Sequence, residues 1–495
     1  MIKKNDTVRT EITDIATGGE GIGHAEGLTL FVKNSVPGDV ADVHITKVKK
    51  TYAYAKAEKV ITPSPFRVIP ECEHANPCGG CQLMSLSYER ELKYKEDKVK
   101  NNIIRIGGFD KDRIEEIFEP IMGADSDNIL RYRNKLQVPI GTDKEGNLIA
   151  GFYAGRTHNI IPCDDCLLGF EEHKDILDVI LSFAKRNHLS AYDESKNEGL
   201  IRHVLLRKGY ATGEIMVCIV INGDDLPKAD ELADELKNKY PKREEGASFI
   251  ANICLNINKE NTNVILGKKV KTIWGKDHIT DRIGDLEFGI SPLSFYQVNP
   301  YQTKKLYDTA LEFADLKGDE NVLDLYCGTG TISLFLARSA GRVHGVEIIP
   351  EAIENAKENA KANGINNASF SVGKAEDLTA ENAKEIFGGD IDVIVVDPPR
   401  KGCDEKCLET ILRLSPEKIV YVSCDSATLS RDLKILHEGG YNPTRIRPTD
   451  MFPKTVHVET VCLLSNRKPD SHIKLSLDMD EYYDIIEKEE AEKKK

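Results

Sequence analysis

From about residue 290 the chain repeats one pattern, and that pattern restricts the fold more than any other feature. Short runs rich in Val, Ile and Leu at 321–326, 342–347, 368–373, 391–397 and 418–424 have helical stretches between several of them. The clearest helix spans 351–363, with Pro350 at its start and Gly364 just past its end. Parallel strands cannot be joined by tight turns, so strands that alternate with helices imply a doubly wound parallel sheet. Ligands of such sheets bind beyond the carboxyl ends of the strands. The residues that close each run are therefore the first candidates for function.

The rest of the chain divides by composition. Residues 1–61 hold short strand-like runs broken by Gly18, Gly19, Gly21, Gly23, Gly27 and Pro37-Gly38, a turn density that suits a small β-barrel. Lys47, Lys49 and Lys50 precede Tyr52 and Tyr54. Cations beside aromatics can bind a nucleic-acid strand by charge and stacking, or lysines can simply protect a strand edge. Pro63, Pro65 and Pro70 mark a linker. Residues 62–288 read as a mixed α+β domain that carries a cysteine cluster, 289–467 as the doubly wound domain, and 468–495 as a charged tail. In the central domain, helices are expected at 87–105 and near 170–188, and Arg131, Arg133 and Lys135 surround Tyr132, a pattern suited to phosphate contact.

Charge and cysteine usage narrow the setting. A net charge of −14 excludes a basic nucleic-acid coat but not local basic patches. No apolar run approaches the roughly 18 to 20 residues that span a bilayer. Met1 to Asp6 has no apolar stretch behind it, so no signal peptide is expected. Twelve cysteines in 495 residues are too few for a disulfide scaffold, and the expected location is the cytoplasm.

At the cofactor end of the sheet, Asp324 to Thr331 (sequence DLYCGTGT) follows a strand and opens a helix. Glycines there admit a ligand close to the backbone. Glu347 ends the next strand, 23 residues after Asp324, where a carboxylate can accept hydrogen bonds from ribose hydroxyls. Ser333 stands where a dinucleotide fold places its third glycine, so an adenosyl cofactor such as S-adenosylmethionine fits better than NAD. Asp397-Pro398-Pro399 resembles the loop of amino-group methyltransferases, but Arg400 replaces the stacking aromatic, which counts against an exocyclic-amine target. Cys424 closes a strand and is a candidate nucleophile, and a helix start beside it would lower its pKa. Glu459 contributes a carboxylate if its strand returns to the same crevice.

Cys72, Cys78 and Cys81 have ligand-like spacing, and Cys163 and Cys166 form a second pair far downstream. Two Cys-x2-Cys knuckles, Cys78/Cys81 and Cys163/Cys166, read as a tetrahedral zinc site. A four-cysteine iron–sulfur cluster is the other reading.

Residues 291–299 (SPLSFYQVN), 324–330, 397–402 (DPPRKG), 421–432 and 457–460 (HVET) resemble the bacterial RNA uracil-C5 methyltransferases, which form 5-methyluridine in ribosomal or transfer RNA. The N-terminal stretch is similar to a TRAM domain, an OB-like RNA-binding barrel. The matches cover most of residues 1–465. The resemblance implies Cys424 as nucleophile toward carbon 6 of uracil, and Glu459 as the base that removes the carbon-5 proton. It also implies that Gln297, Tyr326, Glu347 and Asp397 hold S-adenosylmethionine. It favours a [4Fe-4S] cluster on Cys72, Cys78, Cys81 and Cys166 over zinc, with Cys163 as a competing fourth ligand. The expected partner is RNA, 23S rRNA before tRNA, acted on by a monomer with no membrane contact. The alternatives are an exocyclic-amine methyltransferase on nucleic acid or protein, and a non-catalytic RNA-binding factor.

Overall fold

A computed structural model describes residues 2–155, 157–242 and 246–466, so the charged tail at 468–495 lies outside the described residues. β1 (Thr7–Ile15), β2 (Gly21–Ala25), β3 (Leu28–Lys33), β4 (Val40–Val48) and β5 (Tyr52–Thr62) close into a barrel in the order β1-β2-β3-β5-β4. The strands alternate as their sequences do. Leu30, Val32, Val43, Ile45, Ala53 and Ala55 point inward and fill the barrel.

The central region builds a second sheet. It contains β6 (Lys135–Thr142), β7 (Leu148–Tyr153), β8 (Ile160–Pro162), β9 (Ile201–Lys208), β10 (Glu214–Ile221), β11 (Phe249–Ile257) and β12 (Lys269–Gly275), ordered β12-β11-β10-β9-β6-β7-β8. Helices His173–Arg186 and Ala229–Lys239 cover it with their apolar faces, which join Val204, Leu206, Val217 and Ile219 in one core. A hairpin of β13 (Ile279–Ile283) and β14 (Leu286–Ile290) leads into the last domain.

That domain carries β15 (Asn321–Leu325), β16 (Arg342–Glu347), β17 (Ala368–Val372), β18 (Val393–Val396), β19 (Lys418–Ser423), β20 (Tyr441–Thr449) and β21 (Glu459–Asn466). Their order is β17-β16-β15-β18-β19-β21-β20. The first five strands in sequence run parallel, and β21 inserts antiparallel between β19 and β20. Strand order reverses between β15 and β18, the switch point where doubly wound sheets open a crevice. Hydrophobic cores lie on both faces of this sheet.

The three parts interlock. Ile15 and Val36 of the barrel region pack with Leu83, Leu86, Tyr94 and Val456 in a small shared core. Gly19, at φ +88, lies so close to the others that a Cβ there would fall 2.6 Å from Gln82 Cβ and 3.0 Å from Val456 Cγ1. Helix Tyr88–Arg105 packs on the Ser426–Glu438 helix of the last domain. Its Lys95, fully buried, donates to Glu91 Oε1 at 2.7 Å and to Asp450 Oδ1 at 2.6 Å. Among the described residues no helix is long and apolar enough to cross a membrane.

Candidate functional site

The crevice at the switch point is a cavity of about 820 Å3. Its floor begins where β15 ends. Tyr326 adopts φ +68, and the amides of Tyr326 and Cys327 both donate to Val346 O, at 3.0 and 3.1 Å. This folds the glycine loop back over β16. Gly345 beneath it admits no side chain, because a Cβ would fall 2.6 Å from Phe370 and 2.8 Å from Cys327 Sγ. Glu347 is fixed at the end of β16 by two backbone donors, Gly328 N at 3.3 Å and Ile349 N at 3.0 Å. Asp324 Oδ2 accepts from Ser333 Oγ at 2.5 Å, while Oδ1 is buried without a partner.

All six cofactor-binding and catalytic candidates line this one cavity: Gln297, Tyr326, Glu347, Asp397, Cys424 and Glu459. The meeting of Cys424 and Glu459 follows from strand register. β19 and β21 are antiparallel, with Ser423 opposite Thr460. The next step along that ladder brings Cys424, just past β19, to the level of Glu459, the first residue of β21. Antiparallel partners lie about 4.5–5.5 Å apart at Cα, so the two side chains emerge together.

Electrostatically the crevice is acidic, and its Asp324 and Glu459 are buried. Burial pushes Asp324 and Asp397 up to about 7. Burial, reinforced by Asp397, pushes Glu459 up to about 8. Arg400 opposes that shift and is the cation that bears on both Glu459 and Cys424. The helix start beside Cys424 does not lower its thiol as the sequence suggested. Burial, then Glu459 and Asp397, raise it to about 12. The reason lies in the cap: Asp425 accepts from Ala427 N at 2.9 Å and Thr428 N at 3.1 Å, so the thiol faces carboxylates rather than free helix amides.

Sequence reasoning passed over several lining residues. Phe295, 67% exposed, stands at the rim. His457 lies beside the crevice, and its imidazole is driven down to about 4 by burial and then by neighbouring cations led by Arg400. Arg400 stands in the sequence reading as a departure from an aromatic motif and as part of the 397–402 motif, but not as a site residue, although a cation following two prolines at a strand end is itself a signal.

A second cavity, of about 340 Å3, is lined by Cys72, Cys78, Cys81, Cys163 and Cys166 together. Burial raises the thiols of Cys78, Cys81, Cys163 and Cys166, and a few neighbouring donors oppose that shift. Gly80 N donates to Cys78 Sγ at 3.4 Å, and the amides of Leu168 and Gly169 favour the Cys166 thiolate. Arg133 acts on Cys81 and Cys166 in the same sense. Among the described residues, no group of three or more His, Cys, Asp or Glu side chains is arranged to hold a metal ion. Arg131 is not available to phosphate. Its guanidinium binds both carboxylate oxygens of Asp165, at 2.6 and 2.9 Å, and donates to Cys166 O, which secures the loop that bears Cys163 and Cys166. Lys135 is turned toward the cysteine cavity, and burial lowers it to about 8.

Comparison with known proteins agrees with this architecture. A TRAM domain model matches residues 3–57, and the tRNA (Uracil-5-)-methyltransferase family model matches residues 256–467. A protein of Clostridium tetani described as an uncharacterized RNA methyltransferase is 46% identical over 464 residues, covering 94% of this chain and 97% of its own length. The chain belongs to the RNA (uracil-5-)-methyltransferase family. A Bacillus cereus relative with the same description is also 46% identical over the same share of each chain. Among solved structures, the Pyrococcus abyssi tRNA (uracil-54, C5)-methyltransferase in complex with S-adenosyl-L-homocysteine superimposes with a TM-score of 0.71. It is 28% identical and covers 92% of this chain and 100% of its own. An RNA methyltransferase must hold a methyl donor and an acceptor base together. A cavity of about 820 Å3 lies toward the upper end of ordinary ligand pockets.

Proposed function

We propose that this enzyme methylates carbon 5 of uridine in RNA with S-adenosylmethionine as the methyl donor, acting as a monomer through a covalent adduct on Cys424. The observation that carries the reading is the register pairing of Cys424 with Glu459 over an acidic crevice. Carboxyls that burial makes hard to ionise, Asp397 at about 7 and Glu459 at about 8, with Arg400 opposing the shift only at Glu459, favour a ligand that brings its own positive charge. A sulfonium is such a ligand, and when bound it supplies an electrophilic methyl group.

Carbon 5 of uracil is a weak nucleophile. The Cys424 thiolate adds to carbon 6, and the electrons of the carbon 5–carbon 6 double bond move onto carbon 5 and the neighbouring carbonyl. Carbon 5 then forms its bond to the methyl group as the methyl–sulfur bond breaks, and the electron pair of that bond stays on sulfur to leave S-adenosylhomocysteine. Glu459 takes the proton left on carbon 5, the double bond reforms, and the carbon 6–sulfur bond breaks to return the thiolate. Cys424 begins as a thiol and gives its proton to solvent before attack, and Glu459 must be ionised to act as base; a bound cation favours the ionised form of both by relieving the repulsion among these groups. Tyr326 and Glu347, on the glycine-loop side, would hold the adenosyl portion, and Gln297 and Asp397, which line the same cavity, would complete the cofactor site. The target base must leave its stack to reach the cavity.

Ribosomal 23S RNA is the substrate we place first. Transfer RNA is the second reading, favoured by the tRNA enzyme among the structural neighbours. We further propose that the cysteine cavity holds a [4Fe-4S] cluster on Cys72, Cys78, Cys81 and Cys166, with Cys163 the competing ligand and zinc the alternative metal. Five cysteines line one cavity, which supplies the four thiolates such a cluster needs. Such a group would brace this segment and does not enter the methyl-transfer steps. The test is methyl transfer from labelled S-adenosylmethionine to unmodified 23S rRNA and tRNA, read by nucleoside mass spectrometry, with wild type beside Cys424→Ala. 5-Methyluridine from wild type alone supports the reading. Full activity of Cys424→Ala overturns the mechanism, and RNA binding without product from either RNA moves the reading to a binding factor.

A further inference from the structure

Behind the wall of the crevice two buried thiols meet. Cys403 follows the 397–402 loop, and Cys407 lies in the first turn of the helix Glu405–Leu414. Asp404 caps that helix by accepting from Cys407 N at 2.8 Å, so the cysteines face each other across the cap. Their sulfurs are in hydrogen-bond contact, Cys403 donating and Cys407 accepting. The hydroxyl of Tyr326 donates to the same Cys407 sulfur. Cys403 is held from the other side. Its amide donates to Asp432 Oδ2 at 2.9 Å, its carbonyl accepts from Arg431 Nη2 at 2.8 Å, and Tyr421 Oη lies 3.6 Å from its sulfur. The backbone at both cysteines is thus pinned while the two sulfurs touch.

The location gives the pair a consequence. Tyr326 and Asp404 line the cofactor crevice, so the thiols lie one residue behind its wall. Tyr326, at φ +68, is the turn from β15 into the glycine loop. Its backbone is fixed by Val346 O and its hydroxyl by Cys407. Two donors on one sulfur also favour the thiolate: hydrogen bonding, led by Cys403, holds Cys407 below the usual thiol range although burial opposes it. Cysteines that merely fill a core need no such contact with a ring of the cofactor site.

We propose that Cys403 and Cys407 are a modification site, a dithiol that peroxide converts to a disulfide, and that this bond releases the Tyr326 hydroxyl and weakens S-adenosylmethionine binding. The effect on binding rests on the cofactor reading above. The Cys407 thiolate attacks one peroxide oxygen, the O–O bond breaks, and the sulfur becomes a sulfenic acid while the departing hydroxide takes up the thiol proton as water. The Cys403 sulfur then attacks, the S–S bond forms, the S–O bond breaks, and a second water carries off the remaining thiol proton. Both sulfurs are oxidised and one peroxide is reduced to water. In a reducing compartment such a bond is transient and regulatory. Linkage requires the converse: a bound cofactor, which covers Tyr326, protects the pair.

The test uses the full-length protein, treated with hydrogen peroxide, alkylated and cleaved with trypsin without reductant. Lys401, Lys406 and Arg413 bracket the pair, so the disulfide joins the fragments 402–406 and 407–413. The joined fragments should appear in wild type, disappear on treatment with a dithiol, and form more slowly under saturating S-adenosylmethionine. In calorimetric titration the oxidised protein should bind S-adenosylmethionine about tenfold or more weakly than the reduced protein, with recovery after the dithiol. Cys403→Ser keeps every other cysteine, Cys424 included, and should hold its affinity within about twofold after peroxide. Cys403→Ala repeats the comparison without a hydroxyl. Recovery of both fragments as separate alkylated thiols overturns the proposal, as does a joined fragment with unchanged affinity, or an equal loss of affinity in both variants. Failure of the cofactor reading is separate: reduced wild type would then bind no S-adenosylmethionine, while the joined fragments would still uphold the modification site.

Discussion

Replacing Glu459 with Gln separates the electrostatic state of the crevice from its shape. Glu459 is 3% exposed, and its carboxyl is raised from 4.5 to about 8, first by burial and then by Asp397. That displacement holds about 5 kcal/mol against the ionised form. The folded state binds this proton more tightly than the unfolded chain does. The associated stability is therefore complete below about pH 4.5 and is lost as pH rises through about 8. Gln fills the same volume and does not titrate. At about pH 5 the two proteins should melt within about 1 kcal/mol of each other, whereas at about pH 9 the variant should be more stable by up to about 5 kcal/mol. For a unit of this size that is a gain in Tm of about 10 °C or more. Thermal melts of both proteins across this pH range give the comparison. A difference that stays constant with pH, or a variant that is the less stable at alkaline pH, refutes the reasoning. The same substitution removes the base for the carbon-5 proton, so the variant should methylate once and keep RNA bound through Cys424 on a denaturing gel.

Three further outcomes follow from the geometry. Affinity for S-adenosylmethionine should weaken as pH falls below about 7, by up to about tenfold per pH unit, because Asp397 takes up a proton there. S-Adenosylhomocysteine, whose sulfur is uncharged, should show less of this dependence in calorimetric titrations, and an equal dependence refutes the charge argument. Lys95→Met should destabilise the protein by about 3–5 kcal/mol in denaturant unfolding, because it strands Glu91 and Asp450 without their shared cation. Adding Glu91→Gln and Asp450→Asn should restore much of that loss. Cys166→Ser should abolish iron and acid-labile sulfide binding while Cys163→Ser retains it, and the reverse pattern would assign the fourth ligand to Cys163.

The parallel sheet was legible because its strands are β-branched runs and its crossovers have clear starts and stops. The cofactor end was legible because only glycines and a terminal carboxylate serve that turn. The antiparallel insertion of β21 was not legible. Nothing local in Glu459–Asn466 states that it pairs with Lys418–Ser423 on one side and Tyr441–Thr449 on the other. Yet that pairing alone brings Glu459 to Cys424. The thiol's pKa was misjudged for a related reason: burial and then the carboxylates at the ends of β18 and β21, which are distant in sequence, raise it, and the cap residue Asp425 acts in the same direction. Arg131 was misread because its partner, Asp165, lies 34 residues away. The central sheet also mixes a parallel pair, β10 with β11, among antiparallel neighbours, an arrangement that apolar runs cannot specify.

Glu459 is positioned by the first half of the chain as much as by its own strand. The segment that leads into β21 is buried, and buried carbonyls need partners. Asp450 O accepts from Gln302 Nε2 at 3.0 Å, and Met451 O from Asn299 Nδ2 at 3.1 Å. Phe452 O accepts from Lys95 at 3.2 Å, Pro453 O from Tyr132 at 3.1 Å, Lys454 O from Leu83 N at 3.1 Å, and Val456 O from Lys98 at 2.8 Å. Four of these six donors precede the central sheet's second strand. Lys95 and Lys98 belong to the helix Tyr88–Arg105, and Leu83 to the cysteine segment that precedes it. A buried cation between two buried carboxylates adds little net stability over an apolar core, and its better attested use is to fix one arrangement among several. Here the arrangement it fixes is the path of residues 450–456 into Glu459. A domain cut at residue 289 would keep the glycine loop, Glu347, Asp397 and Cys424. It would also leave Asp450 without Lys95 and four carbonyls without donors, and Glu459 would lose the path that delivers it to Cys424.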